Sequence, residues 1–163
     1  GGFTLVLPKG EGNEPRALVV IEYENMVVAG THLEHTKESA RRAQIEIITD
    51  TLKTLYGASG KPVFLCGDMN AGPGSGTLKM LKENWTVLSV AKTTFPDKAA
   101  MAEIAVMPSS AEETPGSCID YILIMNNGAE YEVIASDVCV SFKSGSVFTA
   151  SDHLPVYVDV RLL

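Results

Sequence analysis

Hydrophobic and polar positions along the chain change period several times. Phe3 to Leu7 alternates with polar neighbours as a strand would, and the Gly/Pro-rich stretch "PKGEGNEP" turns the chain. Ala17 to Glu22 and Met26 to Leu33 are β-branched apolar runs separated by "YEN", which predicts a hairpin. Ala40, Ala43, Ile47, Ile48, Thr51, Leu52 and Leu55 then recur at three- and four-residue steps, the stripe of an amphipathic helix. Thr36 has the chemistry to cap that helix, and Gly57 to end it. Pro62 to Cys66 predicts a short buried strand. A brief helix capped by Ser75 or Thr77 follows, and then a strand over Trp85 to Val90. Lys92 to Ser117 lacks periodicity and carries Pro96, Pro108 and Pro115, as expected of a surface excursion. Ile119 to Met125, Tyr131 to Phe142 and Pro155 to Leu162 close the chain as three further β segments. Strand, helix and strand in this order predict a mixed α/β layered fold.

Length and composition narrow this picture. The 163 residues are enough for one domain with a real core, and 45% hydrophobic with 20% charged residues is a globular balance. No apolar run reaches the roughly 20 residues of a membrane helix. A net charge of −7 argues against a broad basic face for nucleic acid, whose non-specific affinity comes from Lys and Arg on phosphates. Cys66, Cys118 and Cys139 are odd in number and widely spaced, so they read as reduced core positions rather than a disulfide or zinc framework. Localisation is not readable from the first residues.

Four polar clusters sit where apolar strands end: "GTHLEH" at Gly30 to His35, "GDMN" at Gly67 to Asn70, "IDYILI" at Ile119 to Ile124 and "SDHLPV" at Ser151 to Val156. Each has a plain structural reading. His32 is placed to be a core histidine bonded to backbone. Asp68 and Asn70, two apart, are placed to make an Asx-turn or to face one ligand atom together. Asp152 and His153 can be a surface turn before Pro155. Asp120 is more demanding, because it shares a strand face with Ile122 and Ile124, and a buried carboxylate needs a cation or a donor such as histidine. Together these groups offer carboxylates, a carboxamide and imidazoles, with no Ser or Cys in a nucleophile setting and no Lys-Ser or Lys-Thr after "AGPGSG" to make a phosphate loop. Hard oxygen donors of this kind suit Mg²⁺ or Mn²⁺ and hydrolysis by water.

In this order, "THLEH", "GDMNAGP", "IDYILI" and "SDHLPVYVDV" resemble the signatures of the endonuclease/exonuclease/phosphatase superfamily, the deoxyribonuclease I-like metal-dependent phosphoesterases. Arg41 and Gln44, on the helix between the first two motifs, fit the same pattern. The resemblance implies a four-layer sandwich of two mixed β-sheets flanked by helices, with a site at one edge. It implies that Asp68 orients or deprotonates the attacking water and Asn70 hydrogen-bonds the phosphoryl oxygens. His32 and His153 would face the phosphate, with Asp120 as the partner of His153. It further implies that Asp152, with Asp68 and Asn70, holds the metal.

Members of this superfamily begin with a strand ending in Asn and, further on, a metal-binding Glu. No such phrase precedes Phe3, so residues 1–163 are expected to form a single partial domain lacking its N-terminal portion, roughly a third of the fold. The expected activity is divalent-metal-dependent hydrolysis of a phosphate ester. The alternative is a non-catalytic phosphate-binding or self-associating fragment, since a missing portion would leave an exposed sheet edge. The excursion carries Lys92 and Lys98 beside Asp97, Glu103, Glu112 and Glu113, so the expected partner is a small phosphorylated substrate or lipid headgroup rather than nucleic acid.

Overall fold

The computed structural model describes residues 1–99, 115–139 and 151–163. Six strands form the main sheet: β1 (Gly2–Leu7), β2 (Arg16–Glu22), β3 (Val27–His32), β4 (Val63–Asp68), β8 (Asp120–Met125) and β5 (Trp85–Val87), in that spatial order. β3 and β4 pair in parallel, and every other pair in the sheet is antiparallel. Joining parallel neighbours requires a crossover, and α1 (Glu38–Tyr56) supplies it. α2 (Gly76–Leu81) follows β4. Two smaller ladders complete the described residues, β6 (Phe95–Pro96) with β7 (Gly116–Ser117), and β9 (Tyr131–Val138) with β10 (Val156–Leu162).

The two faces of the main sheet differ in what covers them. Leu18, Val20, Val27, Ala29, Val63, Leu65, Tyr121 and Leu123 pack into one core with Ile45, Ile48 and Leu52 of α1 and Leu78 and Leu81 of α2. This is the helical stripe and the period-2 alternation meeting face to face. On the opposite face, Val28, Phe64, Cys66 and Ile122 look across a cleft of ≈ 470 Å³ toward Val158 and Leu162 of β10. Helices, main sheet and second sheet thus stack as layers, the α/β sandwich expected of the sequence. Away from the cleft, Val6, Val19 and Ile21 remain exposed.

Several local expectations shift. Thr36 does not cap α1: its hydroxyl and amide both donate to Glu34 Oε1, at 2.7 and 2.9 Å, and Lys37 takes the cap position without a side-chain bond. Gly57 ends the helix through its N–H to Lys53 O, but as the C-cap at φ −57°, in right-handed conformation, rather than as a left-handed glycine one position beyond. Ser75 caps α2, accepting from Leu78 N. β4 runs on to Asp68, further than Cys66, while β5 stops at Val87, three residues short of Val90. Residues 100–114 of the expected excursion and 140–142 of the expected β9 lie outside the described residues. The three cysteines form no disulfide and are partly buried, and burial pushes the Cys66 thiol up to about 11. No helix among the described residues is long and apolar enough to cross a membrane.

Candidate active site at the end of three strands

Strand pairing builds the site. In the parallel register of β3 and β4, His32 stands opposite Asp68, and in the antiparallel register of β4 and β8, Asp68 stands opposite Asp120. Paired residues project to the same side of a sheet, so the three side chains form one row across adjacent strands, on the face that also carries Val28, Phe64 and Ile122. Two rungs further into the sheet, the corresponding positions are Gly30, Cys66 and Ile122.

Gly67 makes the close pairing possible next to the row. Its φ is +140°, and a Cβ added there would lie 1.8 Å from the Thr31 carbonyl oxygen. Beyond Asp68 the chain leaves the strand through Asn70, which adopts φ +47°, a left-handed conformation that Asn tolerates better than most residues. Asn70 N donates to Asp68 Oδ1 at 2.7 Å, closing an Asx-turn, and Asn70 Nδ2 donates to Leu33 O at 2.9 Å. Tyr121 braces the same loop from β8, its hydroxyl lying 2.9 Å from both Ala71 O and Cys118 O.

The two histidines converge on Asp68. His32 Nε2 is 3.3 Å and His153 Nε2 3.9 Å from Asp68 Oδ2. His153 Nδ1 is 2.8 Å from Asp120 Oδ2, so the carboxylate that a buried strand face would otherwise isolate has its partner. Burial pushes the Asp68 carboxyl above its usual range, and the charge of Asp120 adds to this. The Asn70 N–H and the imidazoles of His32 and His153 pull the other way. The result is a carboxylate with raised proton affinity, flanked by two imidazoles and only 11% exposed.

His32, Asp68, Asp120 and His153 are therefore brought together, with Asn70 bonded to Asp68 beside them. Asp152 is exposed next to His153 and takes no part in the group formed by Asp68, Asp120 and His153, whose ligand atoms lie within 4.8 Å of one another. That group is more an acid–imidazole cluster than a cation cage, because Asp120 Oδ2 already faces two hydrogen-bond donors, Thr94 Oγ1 and His153 Nδ1. The oxygens of Asp68, Asn70 and Asp152 have the chemistry for a hard divalent cation.

Two residues outside the predicted set hold this edge together. Glu34 is fully buried and accepts from the backbone N–H groups of Asn13, Glu14 and Thr36 and from the Thr36 hydroxyl. The Thr36 bonds, with help from those of Glu14 and Asn13, outweigh burial and hold its carboxyl down at about 2. Gln44 accepts from Glu34 N and donates to Pro8 O, while Arg41 donates to the carbonyls of Glu34 and His35, so both helix residues fasten the turn after His32. The acid in "LEH" was the available signal for Glu34. The second is Thr94, fully buried beside Asp120, in a stretch whose sequence has no period to mark it.

The family model described as "Endonuclease/Exonuclease/phosphatase family" matches residues 3–153. A sequence comparison with curated proteins found no match. Among solved structures, a functionally unknown conserved protein from Enterococcus faecalis superposes with a TM-score of 0.75 at 19% identity, covering 100% of this chain and 66% of that one. The mannosyl-6-phosphatase Bt3783 of Bacteroides thetaiotaomicron gives 0.72 at 19%, covering 99% and 66%. Beta toxin from Staphylococcus aureus with bound magnesium ions gives 0.57 at 21%, covering 92% and 59%. The chain thus spans just under two thirds of the length of the first two structures.

Proposed function

The chain belongs to the endonuclease/exonuclease/phosphatase family, and on that premise we propose that its site hydrolyses a phosphate ester with water and a divalent metal. The single observation that carries the proposal is the row His32, Asp68, Asp120, completed by His153 against both carboxylates. Phosphate ester hydrolysis needs an in-line water, neutralised equatorial oxygens and a stabilised leaving oxygen. Asp68, with its raised proton affinity, orients the water and takes its proton. In their protonated forms, which carry hydrogen on both ring nitrogens, His32 and His153 present Nε2–H toward the same space and donate to the phosphoryl oxygens, joined by the second amide N–H of Asn70. Asp120 fixes the ring of His153. Mg²⁺ or Mn²⁺, held by Asp152 with Asp68 and Asn70, supplies further charge neutralisation when bound.

The preferred substrate in this proposal is a small phosphorylated molecule or lipid headgroup. The net charge of −7 supports this, as does the pairing of Lys92 with Asp137 at 2.9 Å, which removes one cation from the excursion that would have to clamp nucleic acid. The test is phosphate release by the purified protein from a panel of sugar phosphates, phosphomonoesters and phosphodiesters, with Mg²⁺ and with chelator. Metal-dependent turnover that falls at least ~100-fold in Asp68→Asn and in His153→Ala is expected. Unchanged turnover in both variants refutes the site, and preferential cleavage of duplex DNA refutes the substrate class.

A second reading is favoured by Asp152, which is exposed and stands outside the group formed by Asp68, Asp120 and His153. In it the pocket binds phosphate without turning over an ester. Calorimetry with Mg²⁺ and inorganic phosphate separates the two, because binding without hydrolysis of any panel member supports only this second reading.

A further inference from the structure

Thr94 belongs to neither the main sheet nor any of the four motifs, yet it bonds Asp120 directly and the residue that follows His153. Its hydroxyl donates to Asp120 Oδ2 at 2.6 Å. The same oxygen accepts from Ile119 N and Asp120 N, each at 3.1 Å. Its backbone carbonyl accepts from Leu154 N at 2.7 Å, one residue beyond His153. The next residue, Phe95, lays its ring against the His153 imidazole, with centroids 4.8 Å apart and planes tilted by 41°.

The hydroxyl inventory makes this arrangement directional. A threonine oxygen has one hydrogen to give and two lone pairs to receive. Both lone pairs are used by the N–H groups at the start of β8, so the hydrogen is left to point at Asp120. Oδ2 of an ionised Asp120 can only accept, which makes His153 Nδ1 the donor in their 2.8 Å contact. The proton on Nδ1 in turn leaves Nε2 as the ring atom facing Asp68, 3.9 Å away.

We propose that Thr94 is the positioning residue of the site, its hydroxyl fixing the Asp120 carboxylate so that His153 keeps its proton on Nδ1 and presents Nε2 to the substrate. Phe95 covers one face of the ring and limits its rotation. The catalytic consequence rests on the proposed phosphoesterase activity, whereas the hydrogen bonding does not.

The experiment has one arm for each. In the unmodified protein, proton NMR should show a slowly exchanging Thr94 hydroxyl with a cross-peak to the His153 Nδ1 proton, since both hydrogens converge on Oδ2. Absence of that protected hydroxyl overturns the proposal without requiring any variant to fold. Thr94→Ser should retain the Nδ1 proton signal and Thr94→Val should lose or shift it. An unchanged signal in Thr94→Val, or its loss in both variants, overturns the proposal. In turnover, Thr94→Val should lower kcat about 10-fold or more with KM within about 2-fold, as outer residues that orient a reacting group do, and Thr94→Ser should restore it. A fall shared by the serine variant, or one confined to KM, counts against positioning. If no substrate turns over, the activity proposal fails, and the spectra still decide the role of Thr94.

Discussion

Gly67→Ala is the substitution whose cost the structure specifies most sharply. The position lies between Cys66 and Asp68 at φ +140°, where a side chain costs about 1–3 kcal/mol in backbone conformation alone. The new methyl also lands 1.8 Å from Thr31 O, where contacts under 3.0 Å are essentially never found, so β3 and β4 must part. Strain of that kind in a packed interior adds about 1–3 kcal/mol. A total of about 2–6 kcal/mol corresponds to a loss of roughly 5–20 °C in Tm for a chain of this size. The separation would also fall between His32 and Asp68, 3.3 Å apart, so phosphate binding should weaken along with stability. Thermal unfolding followed by circular dichroism measures the first effect and calorimetric titration with phosphate the second. Gly30→Ala is the internal control, because a Cβ at Gly30 meets nothing within 4 Å and should change stability by less than ~0.5 kcal/mol. Equal Tm losses in the two variants, or a Gly67→Ala protein melting within about 2 °C of the parent, would refute the close-approach argument.

Glu34 gives a pH prediction with a fixed sign. Its carboxyl is held at about 2 in the folded chain against an ordinary 4.5, so its stabilisation is complete above about pH 4.5 and drains away as pH falls toward 2. Tm measured across that window should fall steeply in the parent and more shallowly in Glu34→Gln, and parallel curves would contradict the assignment. In the core, Trp85 Nε1 donates to Thr49 Oγ1 at 3.0 Å, and both residues are buried. Thr49→Val leaves that N–H unpaired and should cost about 1–3 kcal/mol in urea unfolding, while Thr49→Ser should recover most of it. A valine variant as stable as the parent would show that the indole finds another partner.

The motifs were legible because each sits at the end of a strongly apolar run, where a carboxylate or imidazole stands out against its neighbours. Their mutual register was not. Asp68 meets Asp120 through pairing of strands 52 residues apart, and nothing local to either segment fixes which residue faces which. The Thr36 cap failed for a related reason. Its hydroxyl had a stronger local acceptor in Glu34, and the burial of that acid arises from the loop at Asn13 and Glu14 folding over it. Thr94 was hidden because a threonine in an aperiodic stretch is unremarkable until the chain delivers it beside a carboxylate. The extent of helix α1, which needs only its own 3.6-residue period, was visible almost to the residue, but its buried face is turned from the predicted stripe: Gln44, Ile45 and Thr49 are buried with Ala40, Ile48 and Leu52, while Ile47 and Leu55 are exposed.

The row of His32, Asp68 and Asp120 is built by backbone pairing alone. Substitutions elsewhere on these strands that preserve the pairing therefore leave the three side chains at the same spacing. A slip of a single rung between β4 and β8 has the opposite character: it would turn Asp120 toward the helices and take the row apart at once, which makes strand alignment the property least free to vary.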